Sequence, residues 1–183
     1  KSLQEIQPIP GRMEKFGGGS LPLVVIDFAH TPEALEKTLI ALRVVINSAK
    51  DISKIKNKKS KLICIFGCGG DRDQDKRAFM GKIATELSDE TIITSDNPRN
   101  EDPSSIINEI VSGADINYLV QENREAAIRR GLYGAHKGDI ILIAGKGHEI
   151  YQEIGKKRLP FSDAKVVRLI LKELRSKVKG PQE

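Results

Sequence analysis

Four polar stretches in this chain each follow at once on a run of apolar or β-branched residues. They are Asp27-Phe28-Ala29-His30-Thr31-Pro32, Phe66-Gly67-Cys68-Gly69-Gly70-Asp71-Arg72-Asp73, Asp96-Asn97-Pro98-Arg99 and Gly145-Lys146-Gly147-His148-Glu149. Taken singly, each has a plain structural alternative. The glycines at 67, 69 and 70 could serve only a tight turn with positive φ, and Gly145-Lys146-Gly147 could be a turn or an anion contact. His30 could cap a helix start, and Arg72 between Asp71 and Asp73 could form a surface ion pair worth little. Taken together, Arg99, Arg72, Asp96 and Glu149 are charges of both signs carried on separate loops. That mixture suits a zwitterion, because each charged end of a desolvated ligand needs an opposite partner. Arg can grip a carboxylate through two parallel N–H bonds, where Lys acts as a point charge.

The elements behind these loops alternate along nearly the whole chain. Residues 23–28, 62–66, 91–94, 118–120 and 139–144 read as strands. Helical patterns cover 32–47, 76–87, 103–111, 124–135 and, after Ser162 and Asp163 as candidate caps, up to about Lys177. Thr31 is a candidate N-cap and Pro32 suits a first helical turn. Gly11 to Gly19 reads as an added antiparallel strand and turn, and 150–154 with 158–161 flank Gly155-Lys156-Lys157 as a hairpin. Continuous apolar strands between helices predict a Rossmann-like α/β fold: a mostly parallel sheet, helices on both faces and an antiparallel edge hairpin. In such a sheet, ligands bind outside the carboxyl ends of the strands. All four polar stretches therefore fall on one rim. Within it, Pro98 stiffens the turn that carries Asn97 and Arg99.

The chain has 183 residues, enough for one domain with a full core, and 39% hydrophobic against 30% charged residues predicts a soluble globule. No apolar run approaches the roughly 20 residues that span a bilayer, and the start does not read as a signal peptide. Aromatics are 4% and Trp is absent, which argues against a stacking surface for nucleic acid. Six lysines crowd residues 50–61, read as a solvated loop. Cys64 and Cys68 are too few for a disulfide framework and lack the histidines of a zinc site, so no metal site and reduced thiols in the cytoplasm are expected. The expected assembly is a monomer. No Gly-Lys-Ser/Thr closes the loop at 67–73, so it is not an ATP-binding phosphate loop of that type.

With Gly11-Arg12-Met13-Glu14 added, the five stretches stand in the order they take in the C-terminal domain of the Mur ligases, which this chain resembles from residue 11 to Phe161-Ser162-Asp163. The resemblance is nearest to the branch that adds the third residue of the peptidoglycan stem peptide. It implies ATP-dependent amide formation with Mg2+: the carboxylate of UDP-MurNAc-L-Ala-D-Glu becomes an acyl phosphate, and an amino acid's amine attacks it. The Asp-Asn-Pro-Arg form implies meso-diaminopimelate as that amino acid. Carried over position by position, Asn97 and Arg99 would hold its distal carboxylate, within a turn that includes Asp96 and Pro98, and Arg72 would help grip it. Gly145 and Glu149 would bind the distal ammonium end. Arg12 and His30 would lie on the nucleotide side, with Arg12 near the phosphates and Asp27 near the ribose.

The chain departs from the family pattern in three ways. Phe28 stands where Tyr is common, residues 50–61 lengthen a connection, and the phosphate loop is missing. The resemblance assigns that loop and the magnesium ligands to a central domain, and the UDP end to an N-terminal one. Residues 1–183 are thus expected to be one amino-acid-binding domain that does not catalyse ligation alone. Two other readings stand beside it: a lysine-adding or folylpolyglutamate synthetase-like ligase, against which the Arg99 and Glu149 pairing argues, and a non-catalytic binding domain.

Overall fold

The structure, a computed structural model, describes residues 9–50 and 60–178, so most of the lysine-rich stretch lies outside the described residues. β1 (Glu14–Gly17) and β2 (Leu23–Asp27) lead into α1 (Pro32–Lys50). Then come β3 (Leu62–Phe66), α2 (Lys76–Leu87), β4 (Glu90–Ile93), α3 (Pro103–Val111), β5 (Tyr118–Val120), α4 (Arg124–Gly134) and β6 (Ile140–Ala144). A hairpin, β7 (Tyr151–Ile154) and β8 (Lys157–Pro160), precedes α5 (Asp163–Val178).

The main sheet runs β1-β2-β6-β3-β4-β5. β1 is its antiparallel edge, Glu14 facing Ile26, and the other neighbours are parallel. The expected hairpin is present as its own two-stranded sheet. It meets the rest of the fold through a bridge between Ile154 and Arg99, next to the cleft.

All five residues of β3 and of β6 are buried, and the two-residue period of a strand sends them alternately to the two faces. Ile140, Leu142 and Ala144 join Leu35, Leu39, Leu42 and Ile46 of α1, with α2 and α3, in one cluster. Ile141 and Ile143 join Ile128, Leu132, Val167 and Ile170 of α4 and α5 in the other. The helix starts use the residues that suit them: Thr31 Oγ1 accepts from Ala34 N at 3.3 Å, Asp102 from Ser105 N at 3.0 Å and Asn123 from Ala126 N at 2.9 Å. The chain winds from β2 to β5 with α1, α2 and α3 on one face, then returns through α4 to insert β6 between β2 and β3. That reversal opens a crevice at the carboxyl ends of β2, β6, β3 and β4.

Candidate functional site

A cavity of about 460 Å³ occupies this crevice, and Arg72, Asp96, Asn97, Arg99, Gly145, Glu149 and His30 all line it. Of the other residues singled out from sequence, Pro98 is buried, and Pro98, Arg12 and Asp27 stand outside its lining.

Two glycines let the loops approach closely. A Cβ on Gly67 would lie 2.0 Å from the Thr94 carbonyl oxygen, so the turns after β3 and β4 touch only because it has none. Gly145 has φ +110°, and a Cβ there would lie 2.6 Å from Asp96 Oδ2, which joins the turns after β6 and β4 in the same way.

The polar floor is a buried network. Lys146 is fully buried; its Nζ donates to Asn97 Oδ1 at 2.8 Å and to Glu149 Oε2 at 2.9 Å. Asn97 Nδ2 donates to the same Glu149 oxygen at 2.8 Å. Burial alone would raise the Glu149 carboxyl, but the hydrogen bonds from Lys146 and Asn97 outweigh it and hold the group below its ordinary value. Asp96 sits 3.9 Å from Lys146 Nζ and 3.9 Å from Arg124 Nη1. There burial wins: it pushes the Asp96 carboxyl up against the pull of both cations.

Arg124, also fully buried, donates from Nε and Nη2 to the two oxygens of Asp163, at 2.9 and 2.8 Å, and from Nη2 to the Ala144 carbonyl at 3.0 Å. Burial opposes its charge, yet Asp163 more than compensates and holds its pKa above the ordinary arginine value. One guanidinium thus ties the end of β6 to the start of α5 and faces the turn after β4.

Arg99 has φ 51°, a left-handed conformation that costs a side-chain-bearing residue strain. Its N–H donates to the Glu153 carbonyl at 3.0 Å and its carbonyl accepts from Gly155 N at 2.7 Å, so the hairpin holds it there. Its Nη1 donates to the Gly70 carbonyl at 2.7 Å and its Nε to Glu153 Oε2 at 3.0 Å. Arg77, a fully buried residue of α2, braces the glycine loop from below: it donates to Gly69 O at 3.2 Å and pairs with Glu101 and Glu109 at 2.8 and 2.9 Å.

The opposite rim is looser. Arg72 is exposed and donates only weakly, at 3.4 Å, to the Asp71 carbonyl; among the described residues it forms no ion pair with Asp71 or Asp73. His30 is exposed, with Nδ1 2.8 Å from the Phe28 carbonyl oxygen and its ring 4.5 Å from the Phe28 ring. The Arg12 guanidinium lies 4.8 Å from the centroid of the same Phe28 ring. Asp27 uses Oδ2 to accept the Met13 N–H at 2.8 Å, which fixes the turn into β1. Lys76 Nζ, which also lines the cavity, donates to the His30 carbonyl at 2.6 Å. Cys64 and Cys68 are free and buried, and burial pushes both thiols up to about 12, which leaves them protonated and unreactive.

Sequence reasoning missed Arg124, Lys146, Glu153 and Arg77 and took Asp163 only as a cap. One signal was available for Arg124: a cation in the first turn of a helix opposes the helix dipole, so a buried counter-charge is its natural explanation. The others acquire their partners from elements remote in sequence.

Fold and site define a class: a doubly wound α/β domain whose strand ends form a cleft lined by charges of both signs. The family model "Mur ligase, glutamate ligase domain" matches residues 11–147, and the chain belongs to that family. It is 52% identical over 174 residues to the UDP-N-acetylmuramoyl-L-alanyl-D-glutamate--2,6-diaminopimelate ligase of Nitrosomonas europaea, covering 94% of this chain and 33% of that protein. A solved structure of a ligase of the same name superposes with TM-score 0.78 at 37% identity, over 93% of this chain and 33% of that one. A bifunctional folylpolyglutamate synthase/dihydrofolate synthase from Yersinia pestis, solved with AMPPNP and Mn, shares the fold at TM-score 0.57 and 21% identity, over 77% of this chain and 29% of that one. The chain therefore spans about a third of the length of the relatives it matches. Among the described residues no helix is long and apolar enough to cross a membrane, and no group of three His, Cys, Asp or Glu could hold a metal ion.

Proposed function

We propose that this chain is the amino-acid-binding domain of a cytoplasmic, monomeric ligase that joins meso-diaminopimelate to UDP-MurNAc-L-Ala-D-Glu. The observation that carries the reading is that Arg99 and Glu149, charges of opposite sign, line one cavity and are both oriented by fixed partners. Arg99, assisted by Asn97 and the exposed Arg72, receives the distal carboxylate. Glu149 and the Gly145 backbone receive the ammonium beside it. Asp96 and Lys146 fix the floor, and the close approaches at Gly67 and Gly145 hold the surrounding turns together.

ATP with Mg2+ would supply the phosphoryl group that activates the acceptor carboxylate. The residues here fit only the border of such a site. Arg12 and Lys76 are cations near one edge of the cavity, beside the His30 ring, and Asp27, occupied by Met13, is offered to a ribose only through what Oδ2 leaves over. The phosphate loop, the magnesium ligands and the UDP pocket then belong to domains outside residues 1–183, and this domain's part is to bind the amino acid, desolvate it and hold its free amine for attack.

Steady-state ligation by the full-length protein carrying this domain, with meso-diaminopimelate and with lysine, tests the reading. Arg99→Ala should abolish most of the preference for the diaminoacid; an unchanged preference removes Arg99 from the role and the reading with it.

A further inference from the structure

Glu153 lies outside the polar stretches of the strand ends, yet it touches the Asp96-to-Arg99 turn with three separate groups. Its carbonyl accepts the Arg99 N–H at 3.0 Å, its N–H donates to Asn97 Oδ1 at 2.9 Å, and its Oε2 accepts from Arg99 Nε at 3.0 Å. Its other oxygen, Oε1, accepts from Arg158 Nε at 2.9 Å. Arg158 in turn lies 4.8 Å over the Tyr151 ring. The carboxylate is therefore shared by two arginines, and Arg158 offsets the negative charge that would otherwise repel an anionic ligand at Arg99.

The consequence for Arg99 is geometric. A guanidinium has five N–H donors in a fixed plane. Glu153 takes the one on Nε, and the Gly70 carbonyl takes one on Nη1. That leaves one hydrogen on Nη1 and both on Nη2, the two nitrogens whose end-on fork can grip a carboxylate through two parallel bonds. We infer that Glu153 is a positioning residue for substrate specificity: it turns the Arg99 guanidinium so that this fork faces the distal carboxylate of the amino acid. The inference rests on the role given to Arg99 above.

Anchoring the hairpin is a separate task, done by the backbone. The Arg99 N–H to Glu153 carbonyl bond and the Gly155 N–H to Arg99 carbonyl bond, 3.0 and 2.7 Å, survive truncation of the Glu153 side chain. The side chain can therefore be removed with the turn still in place.

The test is steady-state kinetics of the full-length ligase with each of its three substrates varied. Glu153→Ala should raise KM for meso-diaminopimelate about tenfold, the scale of one charge-assisted contact, with kcat and the KM values for ATP and UDP-MurNAc-L-Ala-D-Glu within about twofold of the parent. Glu153→Gln, which keeps an oxygen to accept from Arg99 Nε, should recover most of the loss. An unchanged KM for meso-diaminopimelate, a lowered one, or an equal rise in all three KM values overturns the inference. Arg99→Ala is run beside them: if it weakens meso-diaminopimelate binding while Glu153→Ala does not, only the inference falls. If neither variant weakens it, the role of Arg99 falls as well.

Discussion

On the β4 and β6 side of the cavity, Asn97, Lys146 and Arg124 are 3%, 0% and 2% exposed, and the side chain of each makes two or more hydrogen bonds. On the β2 side, Arg12 and His30 are exposed, held by a ring contact and by one bond to a neighbouring carbonyl. Both sides carry a cation, so charge alone does not separate them. What differs is desolvation. A charge buried with its partner is rigid and costly to disturb, whereas an exposed one is screened and free to turn. The first side is finished within this domain, as a selective pocket for a small ligand should be. The second becomes a tight site only if another surface closes over it.

The contrast can be broken most severely at Arg124. Arg124→Met leaves Asp163 buried without its counter-charge, and loss of one member of a buried pair costs about 3–5 kcal/mol. Denaturant melts of the isolated domain should register it; a variant as stable as the parent would mean the buried side is not held together as described. Next in size is the Arg99→Ala experiment. One desolvated charge-assisted contact is worth roughly 1.5–3 kcal/mol, on the order of tenfold to a hundredfold in discrimination between meso-diaminopimelate and lysine.

Acid should act on the same side, and more gently. Glu149 is held below the ordinary glutamate value of 4.5, so its contribution to stability is present above that value and is lost as pH falls through the folded-state value. Asp96, pushed up by burial from the ordinary 3.8, works with the opposite sign: the folded state loses stability as pH rises through its folded-state value. Glu149→Gln should therefore reduce the stability lost on going from above pH 4.5 to below it, as followed by urea melts at both pH values. An identical loss in variant and parent would show that Glu149 is not linked to folding. The smallest effect belongs to the exposed side. Arg12→Ala removes a cation–π contact and should cost less than about 1 kcal/mol of stability. A larger loss in thermal melts would mean that this side, too, is structurally committed.

Much of the architecture was legible in the chain. Strands at 62–66 and 139–144 were readable because burial on both faces demands unbroken apolar runs, and Pro32 and Pro103 marked helix starts by their missing N–H. Arg72, Asn97, Arg99 and Glu149 were readable as a cluster because the topology of a parallel sheet sends its loops to one rim. The partners of these residues were not legible. Glu153 reads as one polar residue in a hairpin strand, and Lys146 as a basic residue in a glycine turn. The chain signals nothing of their meeting with Arg99 and Asn97, roughly fifty positions away.

By itself, then, the sequence determined the alternation of elements, the rim on which the charges gather and, through its ordered motifs, the family. The tertiary structure alone decided which of those charges are buried and paired. Periodicity and turn chemistry are local properties that any short window of chain carries. Desolvation and pairing depend on what packs against a group from distant elements, so the buried lattice of Arg124, Asp163, Asp96, Lys146, Asn97 and Glu149 exists only once the sheet has closed around it.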